Sequence, residues 1–489
     1  MAFKIYNTLG RKLEEFVPVV STSSTSGAHV GFYGCGPTVY NFAHIGNLRA
    51  YLTHDTLVRS LRRRGYQVTH VMNITDVGHL TGDNDEGEDK MVKAAGERHK
   101  SVLEIAAFYT EAFFKDTERL NIKWPDIVCK ATEHIDEMIA LIKRIEANGY
   151  TYSAGGNLYF DTAKFDHYWE LSGRNNINDE ETVSRTGLDA NKKHPADFVL
   201  WFTKSKFIGQ DGEGQALVWD SPWGTGYPGW HIECSAMSMK YLGEQFDIHA
   251  GGIDHVAIHH SNEIAQSEAA TGKHPWVKYW VHNEFLVLDK GKMSKSAGGF
   301  LTLQTLIDKG FDPLDYRYLV LGAHYRSQLQ FSWEALEGAR ASRLSLLDKI
   351  KSHAEARRRG GGATQSNSDP ASPRLRVSSF DEALDDDLNT PRALAALWAA
   401  VKEGDLDAVY DMDTVLGLGL KEAVEAADNQ VEVDPVFAAE IEGLIAERSA
   451  AKKAKDWAKA DSIRAAIKAK GVVLTDNKDG SSSWSAGSF

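Results

Sequence analysis

The run from residue 29 to residue 75 constrains the fold more than any other part of the chain. An apolar stretch, HVGFYGC (29–35), enters a glycine-containing turn; a helical stretch, HIGNLRAYLTHDTLVRSLRRRG (44–65), follows, and a β-rich run, YQVTHVMNIT (66–75), closes the unit. The apolar spacing changes from strand to helix and back to strand across this segment. Strand, helix and strand in that order form a βαβ unit, which builds parallel sheet through a right-handed crossover. Such sheets bind ligands at the carboxyl ends of their strands. The turn after the first strand faces the start of its helix, so Cys35 and His44 belong at a binding edge.

The rhythm breaks and then resumes. A helical ATEHIDEMIALIKRIEANGY (131–150) and a hairpin-like TYSAGGNLYFDTAKF (151–165) interrupt it as an insertion does. Beyond them GWHIECSAMSMKYLG (229–243) reads as a helix and QFDIHAGG (245–252) as a strand entering a turn. HHSNEIAQSEAATG (259–272) reads as a helix with a glycine stop, and KYWVHNEFLVL (278–288) as one further strand. After residue 300 strand signals mostly vanish and helical periodicity takes over. The stretch RRRGGGATQSNSDPASPR (357–374) is too polar and too rich in Gly, Ser and Pro to bury a core, and reads as a flexible loop between helices. Its three arginines form a basic run that is either solvated or placed against a phosphate backbone. The tail, DWAKADSIRAAIKAKGVVLTDNKDGSSSW, reads as a helix stopped at Gly471, a short strand, a turn and a tryptophan. At 489 residues, three or so packing units are expected. The boundaries drawn are 1–120 and 211–300 for the two halves of the sheet, 121–210 for the insertion, 301–345 and 346–430 for two helical regions, and 431–489 for a small α+β module.

Composition excludes several classes. Three cysteines, Cys35, Cys129 and Cys234, are too few for a disulfide framework and match no local zinc-finger spacing, which points to a reducing, cytoplasmic setting. The N-terminal segment alternates apolar and polar residues, and no run of about 18 apolar residues occurs, so neither a signal peptide nor a spanning helix is expected, and no membrane partner. A net charge of −13 argues against nonspecific coating of nucleic acid, while leaving room for a specific RNA bound through local basic patches.

Two short motifs carry the chemistry. His44 to Asn47 read HIGN at the first βα turn, and Lys292 to Ser296 read KMSKS in a small, Ser/Gly-flanked loop that brings two ammonium groups to a phosphate. Cys35, read alone, is a nucleophile, a metal ligand or a packing residue; Cys129 reads as packing. His259 and Glu263, at i and i+4, lie on one helical face, as a pair of zinc ligands would or as an ordinary polar pair does.

HIGN and KMSKS resemble the two signatures of the class I aminoacyl-tRNA synthetases. YGCGPTVY, GWHIECSAM and HHSNEIAQSEA, in the same order along nearly the whole chain, are similar to the cysteinyl branch of that family. Asn47 departs from the histidine usual at the fourth signature position, and Ser261 stands where an acidic residue is usual between the two metal-motif residues. The resemblance implies a Rossmann-type α/β catalytic domain with a connective insertion, then a stem-contact region (301–345), a helical bundle (346–430) and an anticodon-binding module (431–489).

It further implies one zinc per chain on Cys35, Cys234, His259 and Glu263, with His255 and His260 as bystanders or supporting groups. ATP with Mg2+ falls to His44, Gly46, Asn47, Gly252, Asp254 and Lys295, with His44, Asn47, Lys292 and Lys295 at the reacting phosphate. Thr75, Trp230 and His249 are implied as walls of the amino-acid pocket, and Lys452, Trp457, Asp461 and Asp476 as anticodon contacts. The implied substrates are L-cysteine, ATP and tRNA(Cys), taken by a monomer. Cysteine and serine differ by one atom, which shape alone separates by about a hundredfold; a zinc that prefers a thiolate supplies the missing selection. The nearest rival is a cysteine ligase acting on an amino sugar, as in mycothiol biosynthesis, which would lack the long C-terminal region. A non-catalytic paralogue should have lost one of the two signatures, and both are intact.

Overall fold

A computed structural model describes residues 2–19, 27–77, 101–173, 189–203, 217–288, 301–359, 372–428, 435–454, 456–470, 472–476 and 482–486. They divide into two compact units, residues 1–420 and 421–489.

The first unit opens with an antiparallel hairpin, β1 (Lys4–Asn7) and β2 (Lys12–Glu15), and then runs through the expected βαβ unit: β3 (His29–Gly34), α1 (Ile45–Arg63) and β4 (Gln67–Ile74). Next come α2 (Val102–Arg119), β5 (Ile127–Lys130) and α3 (Ile135–Ala147). An antiparallel sheet follows, built from β6 (Thr151–Ala154), β7 (Asn157–Phe160), β8 (Phe198–Phe202) and β9 (Tyr227–Pro228). The α/β alternation then returns with α4 (Trp230–Leu242), β10 (Phe246–Gly252), α5 (His259–Thr271) and β11 (Val277–Asn283).

Five of these strands form one parallel sheet in the order β11-β10-β3-β4-β5. Chain order reverses between β3 and β10, so the topological switch point, where doubly wound sheets open a crevice, lies beyond Gly34 and Gly252. Both faces of the sheet are covered. Val30, Phe32, Ile248, Ala250, Tyr279 and Val281 pack on one side with Leu57 and Leu61 of α1. On the other side Tyr33, Val71 and Trp280 pack with α3, α4 and α5. The period of two along each strand thus assigns neighbouring residues to opposite cores.

The stretch 278–288 is two strands rather than one. After β11 the chain leaves the sheet, and β12 (Leu286–Leu288) pairs in parallel with β13 (Leu329–Phe331). The cause lies in α1. The buried Arg49 guanidinium donates to the carbonyls of Glu284 and Phe285, both at 2.7 Å, and to those of His324 and Ser327 at 3.2 and 2.5 Å, and these acceptors hold the two segments together.

The helical region comprises α6 (Leu303–Asp308), α7 (Pro313–Leu321), α8 (Trp333–Arg358), α9 (Ser372–Asp385), α10 (Thr390–Lys402) and α11 (Leu406–Leu416), and α12 (Leu420–Asp428) begins at the last residue of the first unit. The expected loop 357–374 is shorter at both ends, because α8 reaches Arg358 and α9 starts at Ser372; residues 360–371 lie outside the described residues. In the second unit α13 (Pro435–Lys453) and α14 (Trp457–Ala469) pack on an antiparallel pair, β14 (Val472–Asp476) and β15 (Ser482–Ala486), through Ile441, Ile463, Ile467 and Val472. No described helix is long and apolar enough to cross a membrane.

Candidate active site

A cavity of about 530 Å3 opens at the switch point, lined by the turn after β3, the start of α1, the end of β10 and the segment after β11. The turn is held by Asn73 at the end of β4, whose Oδ1 accepts the Gly36 N–H at 2.8 Å. Only glycine fits there, since a Cβ on Gly36 would lie 1.6 Å from the Asn73 carbonyl oxygen.

His44 is the N-cap of α1. Its Nδ1 accepts the Asn47 N–H at 3.0 Å, and the Asn47 side chain accepts the His44 N–H at 3.3 Å, a reciprocal capping box. Because Nδ1 is the acceptor, the ring proton of the neutral imidazole sits on Nε2. Burial lowers the His44 pKa from the ordinary histidine value against the opposing pull of the Asp254 carboxylate, so the ring is neutral at pH 7. Asp254 and Gly252 line the same cavity. Asn47, the departure in the first signature, thus has a local role: it closes the box that orients His44. A Cβ on Gly46 would come within 2.9 Å of His44 Nδ1, so glycine keeps the ring in place.

Lys292 and Lys295 lie outside the described residues, but the chain on either side of them is anchored here. Leu286 lines the cavity before them, and beyond them the Leu301 carbonyl accepts the Ile45 N–H at 2.8 Å while Thr302 bridges to His44.

Thiols, imidazoles and a carboxylate meet deeper in the site. The ligand atoms of Cys35, His259, His260 and Glu263 lie within 4.8 Å of one another, all buried. Cys35 Sγ is 3.3 Å from His260 Nε2, and Glu263 Oε1 is 3.0 Å from His259 Nε2. Cys234, buried and lining the same cavity, lies near enough to Cys35 and His259 for both to act on its titration, although it is not among the four residues whose ligand atoms fall within 4.8 Å. His260, read from the sequence as a bystander or a supporting group, is part of the cluster; its Nδ1 bonds His282 Nε2 at 2.7 Å, which turns Nε2 toward Cys35. Burial raises the Cys35 thiol, and the neighbouring Cys35, followed by burial, raises Cys234. Burial raises the Glu263 carboxyl, but His249 and His259 more than offset it and hold it down at about 2. Burial opposes the charged His259 ring, which Glu263 and Cys234 nevertheless hold up at about 10. Without a metal the group is thus a buried ion pair beside two protonated thiols. A divalent metal displaces those protons, and two thiols, imidazoles and a carboxylate are the donor set that suits zinc. Cys129, buried against the sheet, donates weakly to the Met72 carbonyl and is packing, as expected.

His249 does not line the cavity. The period of two along β10 turns it toward α5, where it stacks on Trp280 at 4.6 Å and its Nε2 bonds Glu263 Oε2 at 2.9 Å. It supports a carboxylate instead of forming a wall. Thr75 and Trp230 do line the cavity. The Thr75 hydroxyl donates to Glu233 Oε2 at 3.2 Å and accepts from Asn73 Nδ2 at 3.0 Å, while the Trp230 ring lies 4.6 Å from that of His259. Sequence reading missed Glu233, Asn73, His282 and also His231, whose Nδ1 meets that of His259 at 2.8 Å. The one available signal was local: His231 and Glu233 stand inside the quoted motif GWHIECSAM, just before Cys234.

In the second unit Trp457 opens α14 and is 60% exposed; Asp461, one turn on, is exposed too. Lys452 is half-buried in the last turn of α13, and Asp476 ends β14.

Residues 21–341 match the family model of the class I (C) tRNA synthetase catalytic domain, 379–406 the DALR domain, and 434–481 the cysteinyl-tRNA ligase anticodon binding domain. A cysteine–tRNA ligase of Treponema denticola is 55% identical, with 99% of each chain covered. Those of Treponema pallidum and Burkholderia lata are 45% and 46% identical, covering 97% and 98% of this chain and 98% and 96% of their own. Among solved structures, Mycobacterium tuberculosis methionyl-tRNA synthetase in complex with methionyl-adenylate aligns with a TM-score of 0.56 at 16% identity, over 81% of this chain and 89% of that one, a likeness of fold.

Proposed function

Because the chain belongs to the cysteinyl-tRNA ligase family of class I synthetases, we propose that its cavity activates L-cysteine with Mg-ATP and passes the cysteinyl group to tRNA(Cys). In the first step a cysteine carboxylate oxygen attacks the α-phosphorus, forming cysteinyl adenylate as the bond to pyrophosphate breaks. In the second, a terminal ribose hydroxyl of the tRNA attacks the activated carbonyl, its proton is lost and AMP departs. Positioning and charge stabilisation carry such chemistry.

His44 offers a neutral Nε2–H to the phosphate, held by Asn47 and by the space Gly46 leaves. Lys292 and Lys295 bring positive charge to the same phosphates, and the backbone of Gly252 with the Asp254 carboxylate holds the ribose. Thr75 and Trp230 bound the amino acid. Cys35, Cys234, His259 and Glu263 would hold one zinc ion, with His249, His231 and His260 orienting them. When bound, zinc supplies a soft centre that accepts a thiolate and leaves a hydroxyl protonated, so cysteine is chosen over serine. Lys452, Trp457, Asp461 and Asp476 read the anticodon, where an exposed indole suits stacking on a splayed base. The enzyme acts as a cytoplasmic monomer.

The observation that carries this reading is the meeting, in one cavity, of a cap-oriented histidine and a buried thiol–imidazole–carboxylate group. The match of 434–481 to an anticodon module weighs against the amino-sugar ligase. The test is attachment of labelled cysteine to tRNA, with serine as competitor and an anticodon-altered tRNA as a parallel acceptor. Cysteine-selective charging that weakens on the altered tRNA is expected. Cysteine-dependent pyrophosphate exchange without charging would refute the acceptor.

A further inference from the structure

A second group of metal-type ligands lies at the far end of α5, about 18 Å along the helix axis from His259. His167 and Glu170, in the turn of the insertion after β7, face His274, which follows α5. Their ligand atoms lie within 4.8 Å of one another at the surface. Glu170 Oε2 is 3.7 Å from both His167 Nδ1 and His274 Nε2. The two rings stack with centroids 4.4 Å apart and planes 17° from parallel, an arrangement that two imidazolium cations would oppose.

Behind them stands a buried carboxylate. Glu268 Oε2 accepts the His274 Nδ1–H at 2.9 Å, and its other oxygen accepts the Trp276 N–H at 2.9 Å. That bond fixes the ring with Nε2 facing Glu170, where a metal would take the place of the proton that the two carboxylates favour there. A carboxylate behind a histidine whose other nitrogen faces a ligand cluster is the arrangement that orients metal-bound imidazoles. Ligand atoms around a tetrahedral zinc with bonds of about 2.0–2.1 Å stand roughly 3.3 Å apart, close to the two 3.7 Å gaps; because stacked rings cannot both aim an in-plane lone pair at one ion, the exposed His167 ring turns out of the stack when the metal binds.

We propose that His167, Glu170 and His274, oriented by Glu268, form a second divalent-metal site for zinc or a neighbouring imidazole-preferring ion, separate from the thiol-containing group. Its occupant pins the turn of the insertion to the end of α5. That turn already touches the helix, since the Tyr168 hydroxyl donates to Asn262 Oδ1 at 2.6 Å, one residue from Glu263. The outer site therefore braces the helix that carries the inner group.

The test is metal content of the full chain after dialysis against micromolar zinc, for wild type, H167A and E170Q. Both replaced side chains are exposed and lie outside the proposed catalytic machinery, so folding and cysteine-dependent pyrophosphate exchange should be unchanged. The proposal expects each variant to hold one zinc equivalent fewer than wild type, and to show a smaller zinc-dependent rise in Tm than wild type. Because the reading is a difference between variants, it does not depend on how far the inner group is loaded. Cobalt substitution supplies a second readout: the equivalent lost in H167A should lack thiolate-to-metal charge-transfer bands. Equal zinc content in wild type and H167A, or loss of a thiolate-type signal instead, overturns the proposal.

Discussion

Replacing Gly46 by alanine tests whether His44 acts through its exact setting. The new methyl would sit 2.9 Å from His44 Nδ1 and 3.0 Å from Cε1, where ordinary contact begins at 3.4 Å, so the ring must move by about 0.5 Å. That displacement breaks or lengthens the 3.0 Å bond from the Asn47 N–H, which as a lost N-cap costs about 1 kcal/mol of stability. The expected chemical cost is larger. A reacting group misplaced by a fraction of an ångström to 1 Å loses about 10- to 100-fold in rate. Thermal melting and cysteine-dependent ATP–pyrophosphate exchange, measured together, should give a small drop in Tm beside a 10- to 100-fold drop in exchange. Gly338 is the control: it lies inside α8 with open space around its missing Cβ, so G338A should be active and about 0.5–1 kcal/mol more stable. Exchange by G46A within twofold of wild type would refute the role given to His44.

Cys234→Ser should raise KM for cysteine much more than for ATP and lower bound zinc; equal losses in both constants would count against thiol selection by the metal. W457A should leave pyrophosphate exchange unchanged and weaken charging of tRNA by about 5- to 150-fold, equivalent to the roughly 1–3 kcal/mol of one stacked base; an unchanged charging rate removes Trp457 from the interface. His54 is buried and burial lowers its pKa to about 3, so the folded chain stays neutral there while an unfolded histidine takes up a proton below about 6.5. Stability present above pH 6.5 is therefore lost as pH falls toward 3, by about 2 kcal/mol at pH 5, and H54L should remove that portion of acid sensitivity in denaturant titrations at pH 7.5 and pH 5. An unchanged pH slope would refute the assignment.

The βαβ unit and both motif helices were legible because strand and helix periods switch cleanly there. The neighbourhood of the inner group was less so. α5 carries Ser, Asn, Glu and Gln and reads as a surface helix, yet it is buried from His259 to Ala270. Several of its polar groups pair inside the core: Gln266 Nε2 and the Ser267 hydroxyl both donate to Ser235 Oγ. The absence of any Lys or Arg among those residues was the usable clue. Glu233 and His282 escaped for a related reason, since a buried charged or titratable residue is recognisable only through partners distant in sequence. The break at Glu284 follows from Arg49, more than two hundred residues earlier, and no local propensity encodes it. β15 was missed because SSSWS offers only one apolar side chain, Trp484, to the small core.

Arg49 also bears on how far this protein can be taken apart. Residue 300 is an inviting place to divide the gene, with the α/β pattern before it and helices after. A fragment ending there would keep the guanidinium in the heart of α1 but lose its acceptors at His324 and Ser327. The Glu284 and Phe285 carbonyls would remain, but Nη2 would lose every acceptor it has, and a buried guanidinium left half-satisfied costs on the order of a few kcal/mol, a large share of the whole stability of a domain. Modularity seen in the motifs does not extend to folding: a shortened chain would first have to trade Arg49 for an apolar residue, and the identity of position 49 should report whether a truncated version ever stood alone.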